Sequence, residues 1–433
     1  MSRFLPAVEM EQHFTYTNPQ LTNPNKKQTL AKIVPFKAVR PARDKVSLVT
    51  SRSYDEYSPA ELASQLDYNP FSFLHILKPA YINQQKASAE TRFKSVHTKY
   101  QEFKDEQVLK QEAGAVFYVY EIQSKNRVFT GIIAGTSIED YQNNVIKKHE
   151  DTLPYRVEYF KDYLHQTGFN TEPVLITYPE KPELQQWIHT RKQKRPLYLF
   201  SSLNRDKHTL WRVKDEVEIQ WLQKQFEGIE SLYIADGHHR SASAELLYEQ
   251  DKASGNCNLN YFMSFLIAET NLQIFEYNRI IHDLNGLTKD QFLKALSKDF
   301  TVTNKHLELW KPEEKFSFGM YLHGEFYALQ LKNTEFDSVL EALDAQILYE
   351  KVLQPLLGIS DLRNDERIEY IPGNKPITLI KELIDNGEYQ VGFMLYPASI
   401  AEIKQLADNN LIMPPKSTYI EPKFRSGLVV YEL

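Results

Sequence analysis

Cysteine and long apolar runs are scarce in this sequence, and each scarcity excludes a class of protein. The single cysteine, Cys257, cannot form an internal disulfide, so the chain is not a small disulfide-stapled secreted domain. No segment approaches the roughly 18 to 20 consecutive apolar residues that span a bilayer. The stretch from Met1 to Arg40 also contains no apolar core of signal-peptide length. We therefore expect a cytoplasmic protein with no membrane role.

An excess of positive charge is also absent. Lysine and arginine number 51 against 57 aspartate and glutamate, which gives a formal net charge of -6. A protein that binds nucleic acid through its phosphates typically carries a basic surface, so this balance disfavours a nucleic-acid partner. A small anion held by a local group of cations stays compatible with the composition.

The length and the hydrophobic content point to a globular chain of two or three domains. The sequence has 433 residues, 42% of them hydrophobic, so it can bury a sizeable core. Residues 1–30 lack a sustained period and are rich in Asn, Thr and Pro, as is typical of an extension. Strand and helix patterns alternate over residues 31–283, and helix and hairpin patterns mix over residues 284–433. We expect a mixed α/β (α+β) protein with a core domain and an additional C-terminal lobe.

Local patterns predict the elements around the most polar stretches. AVFYVYEIQ and RVFTGIIAGTSI, separated by SKN, predict a β-hairpin. In NNVIKKHEDTLPYRVEYFKDYLHQTG, Pro154 near the first turn and Gly168 at the end frame an amphipathic helix. Lys147 to Asp151 are therefore expected in the loop before this helix.

The stretch SLYIADGHHRSASAELL joins a strand pattern to a helix pattern at a polar junction. The apolar run ends at Asp236, and Gly237 permits a tight turn with close approach to a ligand. His238, His239 and Arg240 then occupy a first helical turn, where basic residues are unfavourable unless an anion binds. Backbone N–H groups at a helix start attract anions, and the Arg240 guanidinium matches phosphate oxygens. The stretch predicts a phosphate-binding turn.

Two other interpretations of this turn are weaker. Asp236 could cap the helix while the histidines bond to nearby groups, which would leave no ligand at all. A zinc site is disfavoured because adjacent histidines diverge by about 100° on a helix, and no second cysteine or HExxH spacing completes a ligand set.

Four segments together resemble a large bacterial family of unknown function with a DGHHR signature. They are NPFSFLHILKP, IKKHEDT, DGHHR and MPPKSTYIEPKFRSGL, and the resemblance covers roughly residues 32–433. The core is similar to the ParB and sulfiredoxin superfamily, and most closely to the archaeal kinase that phosphorylates free L-serine with a nucleotide. The same order runs here as IVPFKAVRP, KKHEDTLP, EPVLI and YIADGHHR, although large insertions separate these segments.

The resemblance implies roles for specific residues. Glu150 matches the carboxylate proposed to take the proton from the serine hydroxyl, and His149 stands beside it. The turn Asp236–Arg240 matches the segment that handles the nucleotide phosphates and a metal ion, with Asp236 as the metal ligand. From the residues alone, Glu150 could instead be a surface carboxylate that satisfies a helix dipole. Sulfiredoxin chemistry is disfavoured because no cysteine occupies the turn, and no clear helix-turn-helix pattern supports DNA binding.

Other segments offer fainter candidates. SRSYDEYSP contains Arg52 and Asp55, which could frame a polar ligand, although a turn entering a helix explains the stretch equally well. PPKSTY lacks the glycines of a P-loop, so that mechanism is excluded. Lys416, Lys423 and Arg425 could close over an anion or remain solvated cations. GISDLRNDER is interpreted as a solvated loop.

These patterns lead to an expected activity. It is phosphoryl transfer to or from a small hydroxylated metabolite, serine or phosphoserine, with ATP or ADP and Mg²⁺. Hydrolysis of phosphoserine is one alternative, and a non-catalytic nucleotide-binding regulator is another. The sequence leaves the donor, the acceptor and the direction open, and it is compatible with a homo-oligomer.

Overall fold

The structure is a computed structural model that describes residues 31–78, 87–125 and 127–433. The predicted extension, residues 1–30, lies outside the described residues. In chain order the elements up to Ala268 are β1 (Ile33–Val34), β2 (Val39–Pro41), α1 (Val46–Val49), α2 (Pro59–Tyr68), α3 (Leu74–Leu77), α4 (Ala89–Asp105), β3 (Leu109–Gln111), β4 (Phe117–Gln123), β5 (Val128–Ser137), α5 (Ile138–Gln142), β6 (Ile146–Lys147), α6 (Pro154–Thr167), β7 (Phe169–Asn170), β8 (Val174–Tyr178), α7 (Pro182–Lys192), β9 (Tyr198–Ser201), β10 (Lys207–Val213), α8 (Glu216–Glu227), β11 (Leu232–Asp236), α9 (His238–Asp251) and β12 (Tyr261–Ala268).

The remaining elements are β13 (Gln273–Ile281), α10 (Lys289–Leu296), β14 (Phe300–His306), β15 (Ser317–Leu322), β16 (Glu325–Leu331), α11 (Asp344–Leu348), β17 (Ile368–Pro372), α12 (Thr378–Asp385), β18 (Val391–Met394), α13 (Ile400–Asp408), β19 (Thr418–Glu421) and β20 (Tyr431–Glu432). Helices and mixed sheets alternate along the chain, so the expected mixed α/β class is confirmed. Within the described residues, we find no helix of the length and apolarity that a bilayer crossing requires.

A large mixed sheet forms the first half of the fold. Its strand order is β6-β11-β8-β12-β5-β4-β10-β9, with β1 beside β5. The predicted hairpin is confirmed as the antiparallel pair β4–β5, in which Tyr118 lies opposite Ile133. Strands β8 and β12 are parallel and buried along their length, as is typical of strands covered on both faces. Apolar clusters line both faces and hold this sheet between helices.

A second sheet follows in the chain. Its order is β14-β16-β15-β18-β13-β17, and the other end of β13 pairs with β19. The strand that opens this sheet, β13, precedes the predicted boundary between residues 283 and 284, and the boundary itself stays a prediction. After β19 the chain returns to the first half, where Val430 pairs with Val39 and β20 pairs with β7. This return carries the C-terminal cations past the end of β11.

Candidate active site

Two parallel strands bring the polar segments of the predicted site to one sheet edge. Strand β6 pairs with β11 in parallel, with Ile146 opposite Leu232 and Lys147 opposite Tyr233. Because the carboxyl ends of parallel strands meet at the same edge, the loop after β6 and the turn after β11 are neighbours. Glu150 and Asp236 are therefore brought together although 86 positions separate them in the chain.

The turn after β11 has the predicted form. Strand β11 ends at Asp236 and α9 begins at His238, so the predicted strand-to-helix junction is confirmed. Gly237 has a φ of 104°, a left-handed conformation that residues with a side chain rarely adopt. The first N–H groups of α9 have no acceptor within the helix, which leaves a partial positive charge at the turn.

Asp236 is held by two cations at the end of β11. Lys423 donates a hydrogen bond to its Oδ2 at 2.9 Å, and the Arg240 guanidinium lies 3.8 Å from the same oxygen. Burial raises the pKa of Asp236, but the charges of Lys423 and Arg240 outweigh it and lower the pKa to about 2. Asp236 is thus ionised at neutral pH. Arg240 also donates to the carbonyl of Pro173, which fixes its direction.

Glu150 contacts a buried histidine of α9. Its Oε2 lies 3.3 Å from Nδ1 of His238, and the His149 backbone N–H donates to Nε2 of His238 at 3.4 Å. Because Nε2 accepts this backbone N–H, Nδ1 is the ring nitrogen that faces the carboxylate. Burial raises the pKa of Glu150, but its contact with His238 outweighs burial and lowers the pKa to about 2. The result is an oriented, ionised carboxylate.

His149 lies behind this pair and away from solvent. Its side chain is fully buried, and its ring packs edge-on against His238 with centroids 4.6 Å apart. Burial lowers the pKa of His149 to about 3, so it is neutral at physiological pH. His149, Glu150 and His238 are close enough to hold a metal ion.

His239 connects the turn to helix α6. Its Nε2 accepts the backbone N–H of Leu153 at 3.1 Å, immediately before α6 begins at Pro154. The predicted helix is confirmed, including its terminal Gly168 in the left-handed conformation. Burial lowers the pKa of His239, and the charge of Arg156 lowers it further, so the ring stays neutral. The start of α6 is therefore fixed relative to the start of α9.

A cleft of about 680 Å³ opens beside this edge, between the first sheet and the second. Of the predicted residues, it is lined by Glu150, Asp236, His239, Lys416 and Lys423. With the other lining residues, the cleft presents five carboxylates, four cations and the start of a helix to one polar space; the charged lining is Glu150, Asp151, Asp236, Asp365, Glu369, Arg156, Arg363, Lys416 and Lys423. This combination suits an anionic ligand bound together with a cation, since each carboxylate needs a positive group between itself and a phosphate.

Comparison with known families identifies the group to which this chain belongs. The family described as a protein of unknown function, DUF1015, matches residues 33–346. The chain is a member of the DUF1015 family. Among curated proteins, no match to it was found. The DUF1015 match confirms the predicted resemblance to a bacterial family of unknown function.

Solved structures with a likeness to the DUF1015 chain include a free serine kinase in complex with AMP. That match has 14% identity and a TM-score of 0.35, and it covers 71% of this chain and 94% of the kinase. A mutant of the kinase in complex with ADP gives 13% identity, a TM-score of 0.36 and the same coverage. SbnI with a C-terminal truncation, from Staphylococcus aureus, has 16% identity and a TM-score of 0.36, and the match covers 68% of this chain and 85% of SbnI.

Some predicted residues of the DUF1015 chain lie away from the cleft. Arg52 stacks on Tyr57 and lies 3.4 Å from Glu61, which ties it to the start of α2. Arg425 donates to the backbone carbonyl of Thr50. Asp55 falls within a short 3-10 turn, Tyr54–Glu56, and its side chain lies outside the described residues. Neither arginine lines the cleft.

Several cleft residues carry no local signal in the sequence. Arg363 lies on the wall of the cleft, and its guanidinium is 3.4 Å from the Asp151 carboxylate. The segment GISDLRNDER was predicted to be a solvated loop, but part of it lines the cleft. Tyr277 and Tyr419 pack edge to face at 5.7 Å on the same wall. A polar loop with alternating charges looks the same in sequence whether it faces a cleft or bulk water, so only the fold reveals these residues.

Proposed function

We propose that this protein transfers a phosphoryl group between ATP or ADP and a small hydroxylated metabolite, with free L-serine or O-phosphoserine as the candidate substrate. The observation that carries the proposal is the shared edge of β6 and β11. It brings the oriented carboxylate of Glu150 into the same cleft as Asp236, Lys423 and the start of α9. Serine is the acceptor that the sequence resemblance implies.

The phosphates are assigned to the start of α9. Its free N–H groups and the Arg240 guanidinium supply donors for phosphate oxygens, and Lys423 adds a second cation beside the turn. Catalysis of phosphoryl transfer depends mainly on such positioning and charge neutralisation, because the transition state is loose. Little covalent chemistry is then required of the protein.

Magnesium fits the oxygen donors of this cleft. Asp236 is an ionised carboxylate beside the phosphate-binding turn, and Mg²⁺ typically binds one or two carboxylates together with substrate phosphates. Asp236 would hold the ion, which supplies further neutralisation of phosphate charge. Glu150 keeps a separate role at the acceptor.

Glu150 is assigned to the acceptor hydroxyl. The hydroxyl oxygen forms the new bond to phosphorus, the bridging bond to the nucleotide breaks, and the hydroxyl proton passes to the Glu150 carboxylate. The nucleotide leaves with the electron pair of the broken bond. A carboxylate with a pKa of about 2 is a weak base, which suits a transition state in which the proton moves late. His238 orients the carboxylate throughout, and His149 supports His238.

A direct assay tests the proposal. The protein is incubated with serine and either ATP or ADP, and with phosphoserine and either ADP or AMP, with and without Mg²⁺. Mass spectrometry should detect phosphoserine and the matching nucleotide product, dependent on Mg²⁺. Loss of phosphoserine without any nucleotide would indicate hydrolysis instead. Tight nucleotide binding without turnover on any acceptor would identify a regulator.

A further inference from the structure

We infer that the nucleoside of the donor occupies a second pocket, between helices α4 and α6, on the opposite side of the Asp236–Arg240 turn from the cleft. The inference rests on the proposed function and specifies how its nucleotide is recognised. Arg240 and Ser243 line this pocket, whereas Asp236 and His239 line the cleft. The first turn of α9 is therefore the wall that the two spaces share.

The pocket is aromatic. It has a volume of about 170 Å³, and α4 and α6 build most of its wall. Phe93 of α4 packs edge to face with Tyr159 at 5.2 Å and with Tyr163 at 5.3 Å. Side chains of this kind bind planar rings by stacking without reading a particular base.

The pocket has an excess of positive charge, which favours an anionic ligand. Lys78, Arg92 and Arg240 line it against one carboxylate, Glu172, which leaves two positive charges in excess. Glu172 is already occupied, because its Oε1 accepts the hydroxyls of Ser53 at 3.0 Å and of Ser426 at 2.8 Å.

Two of the cations, Arg92 and Lys78, also favour a bound anion. Within the described residues, the buried Nε of Arg92 has no hydrogen-bond partner. Burial lowers the pKa of Lys78, and the charge of Arg92 lowers it further. A bound anion would relieve both conflicts.

An aromatic ring joined to anionic charge is the chemistry of a nucleoside phosphate. The ring would lie between α4 and α6, and the phosphate chain would reach Arg240 and the start of α9. The γ or β phosphate then faces the cleft, where Glu150 and the acceptor are assigned. Donor and acceptor thus approach the turn from opposite sides, which leaves a route for transfer between them.

Two exposed tyrosines on different helices allow a matched test. Tyr159 of α6 is 42% exposed and lines the pocket, and Tyr68 at the end of α2 is 85% exposed and lines neither the pocket nor the cleft, so both substitutions should leave the fold intact. Tyr159→Ala should weaken ADP binding at least about fivefold in calorimetry, the lower end of a base-stacking contribution. Tripolyphosphate, which has no ring, should bind Tyr159→Ala and the parent within twofold. Tyr68→Ala should bind ADP within twofold of the parent.

A crosslinking experiment provides an independent readout. 8-Azido-ADP, activated by light, should label peptides of α4 or α6 in competition with unlabelled ADP. If the parent binds ADP but the label falls elsewhere and Tyr159→Ala binds as the parent does, the inference is overturned and the proposed function stands. If the parent binds no ADP or ATP, both fail together.

Discussion

The Oε2 atom of Glu150 lies 3.3 Å from Nδ1 of His238, although 88 positions separate the two residues in the chain. The contact exists because β6 and β11 are parallel neighbours whose loops leave the same sheet edge. It gives the carboxylate one orientation and keeps it ionised, with a pKa lowered to about 2. A base that is held in this way can be tested by removing its charge without changing its shape.

Glu150→Gln should lower turnover at least about a hundredfold, because a positioned general base typically contributes 10² to 10⁴ in rate. Nucleotide affinity should stay within a few-fold of the parent. Glu158→Gln is the matched control, since Glu158 is an exposed carboxylate on α6. Rates are measured by mass spectrometry of phosphoserine. Turnover within a few-fold of the parent would exclude Glu150 as the base and move that role to Asp236.

Arg240→Ala should weaken ADP binding by about 1.5 to 3 kcal/mol, the range for a hydrogen bond to a charged group. Calorimetry measures the affinity, and circular dichroism checks the fold because Arg240 also donates to Pro173. Arg195→Ala removes an exposed arginine and should leave the affinity unchanged. Equal ADP affinity in Arg240→Ala and the parent would refute the phosphate role.

Lys423→Met should remove the main positive charge that lowers the pKa of Asp236. In the parent, the folded pKa of about 2 is below the usual value near 3.8, so Asp236 stabilises the fold above pH 4. That stability is lost as the pH falls from about 4 to 2. Without Lys423, burial dominates and raises the pKa of Asp236, so the variant should be less stable at pH 7. Scanning calorimetry should show the difference in Tm between variant and parent shrinking from pH 7 to pH 3. A constant difference would contradict the ion-pair explanation.

His149→Phe should reduce the loss of stability in acid. The pKa of His149 is lowered to about 3 in the folded protein. Below pH 6.5, His149 is therefore protonated in the unfolded chain but stays neutral in the folded protein. Stability is therefore present above pH 6.5 and is lost as the pH falls towards 3. A phenyl ring keeps the edge-on contact with His238 and removes this titration.

Urea unfolding at pH 7 and at pH 4.5 measures the effect. The decrease in the free energy of unfolding between the two values should be smaller in His149→Phe than in the parent. His189→Phe changes an exposed histidine and should leave the decrease as it is in the parent. An equal decrease in His149→Phe and the parent would mean that His149 takes up a proton in the folded state.

The sequence determined the local parts of the site. The end of β11 at Asp236, the start of α9 at His238 and the extent of α6 all follow from apolar periodicity, glycine and proline. These signals act over a few residues, because backbone conformation and first-turn N–H groups are set by near neighbours. The strand-to-helix turn at Asp236–Arg240 was therefore predictable, and so was the mixed α/β class.

Only the tertiary structure decided which distant groups meet. Lys423 bonds to Asp236 across 187 positions, while the similar cations Arg52 and Arg425 are tied to other partners. All three are cations in polar segments, and nothing in their local sequence separates them. Their partners depend on the pairing of β6 with β11 and on the return of the chain after β19, which are long-range contacts selected by burial of the two sheets. The local sequence therefore determines which chemical group a residue offers, and the packing of distant strands determines which partner that group contacts.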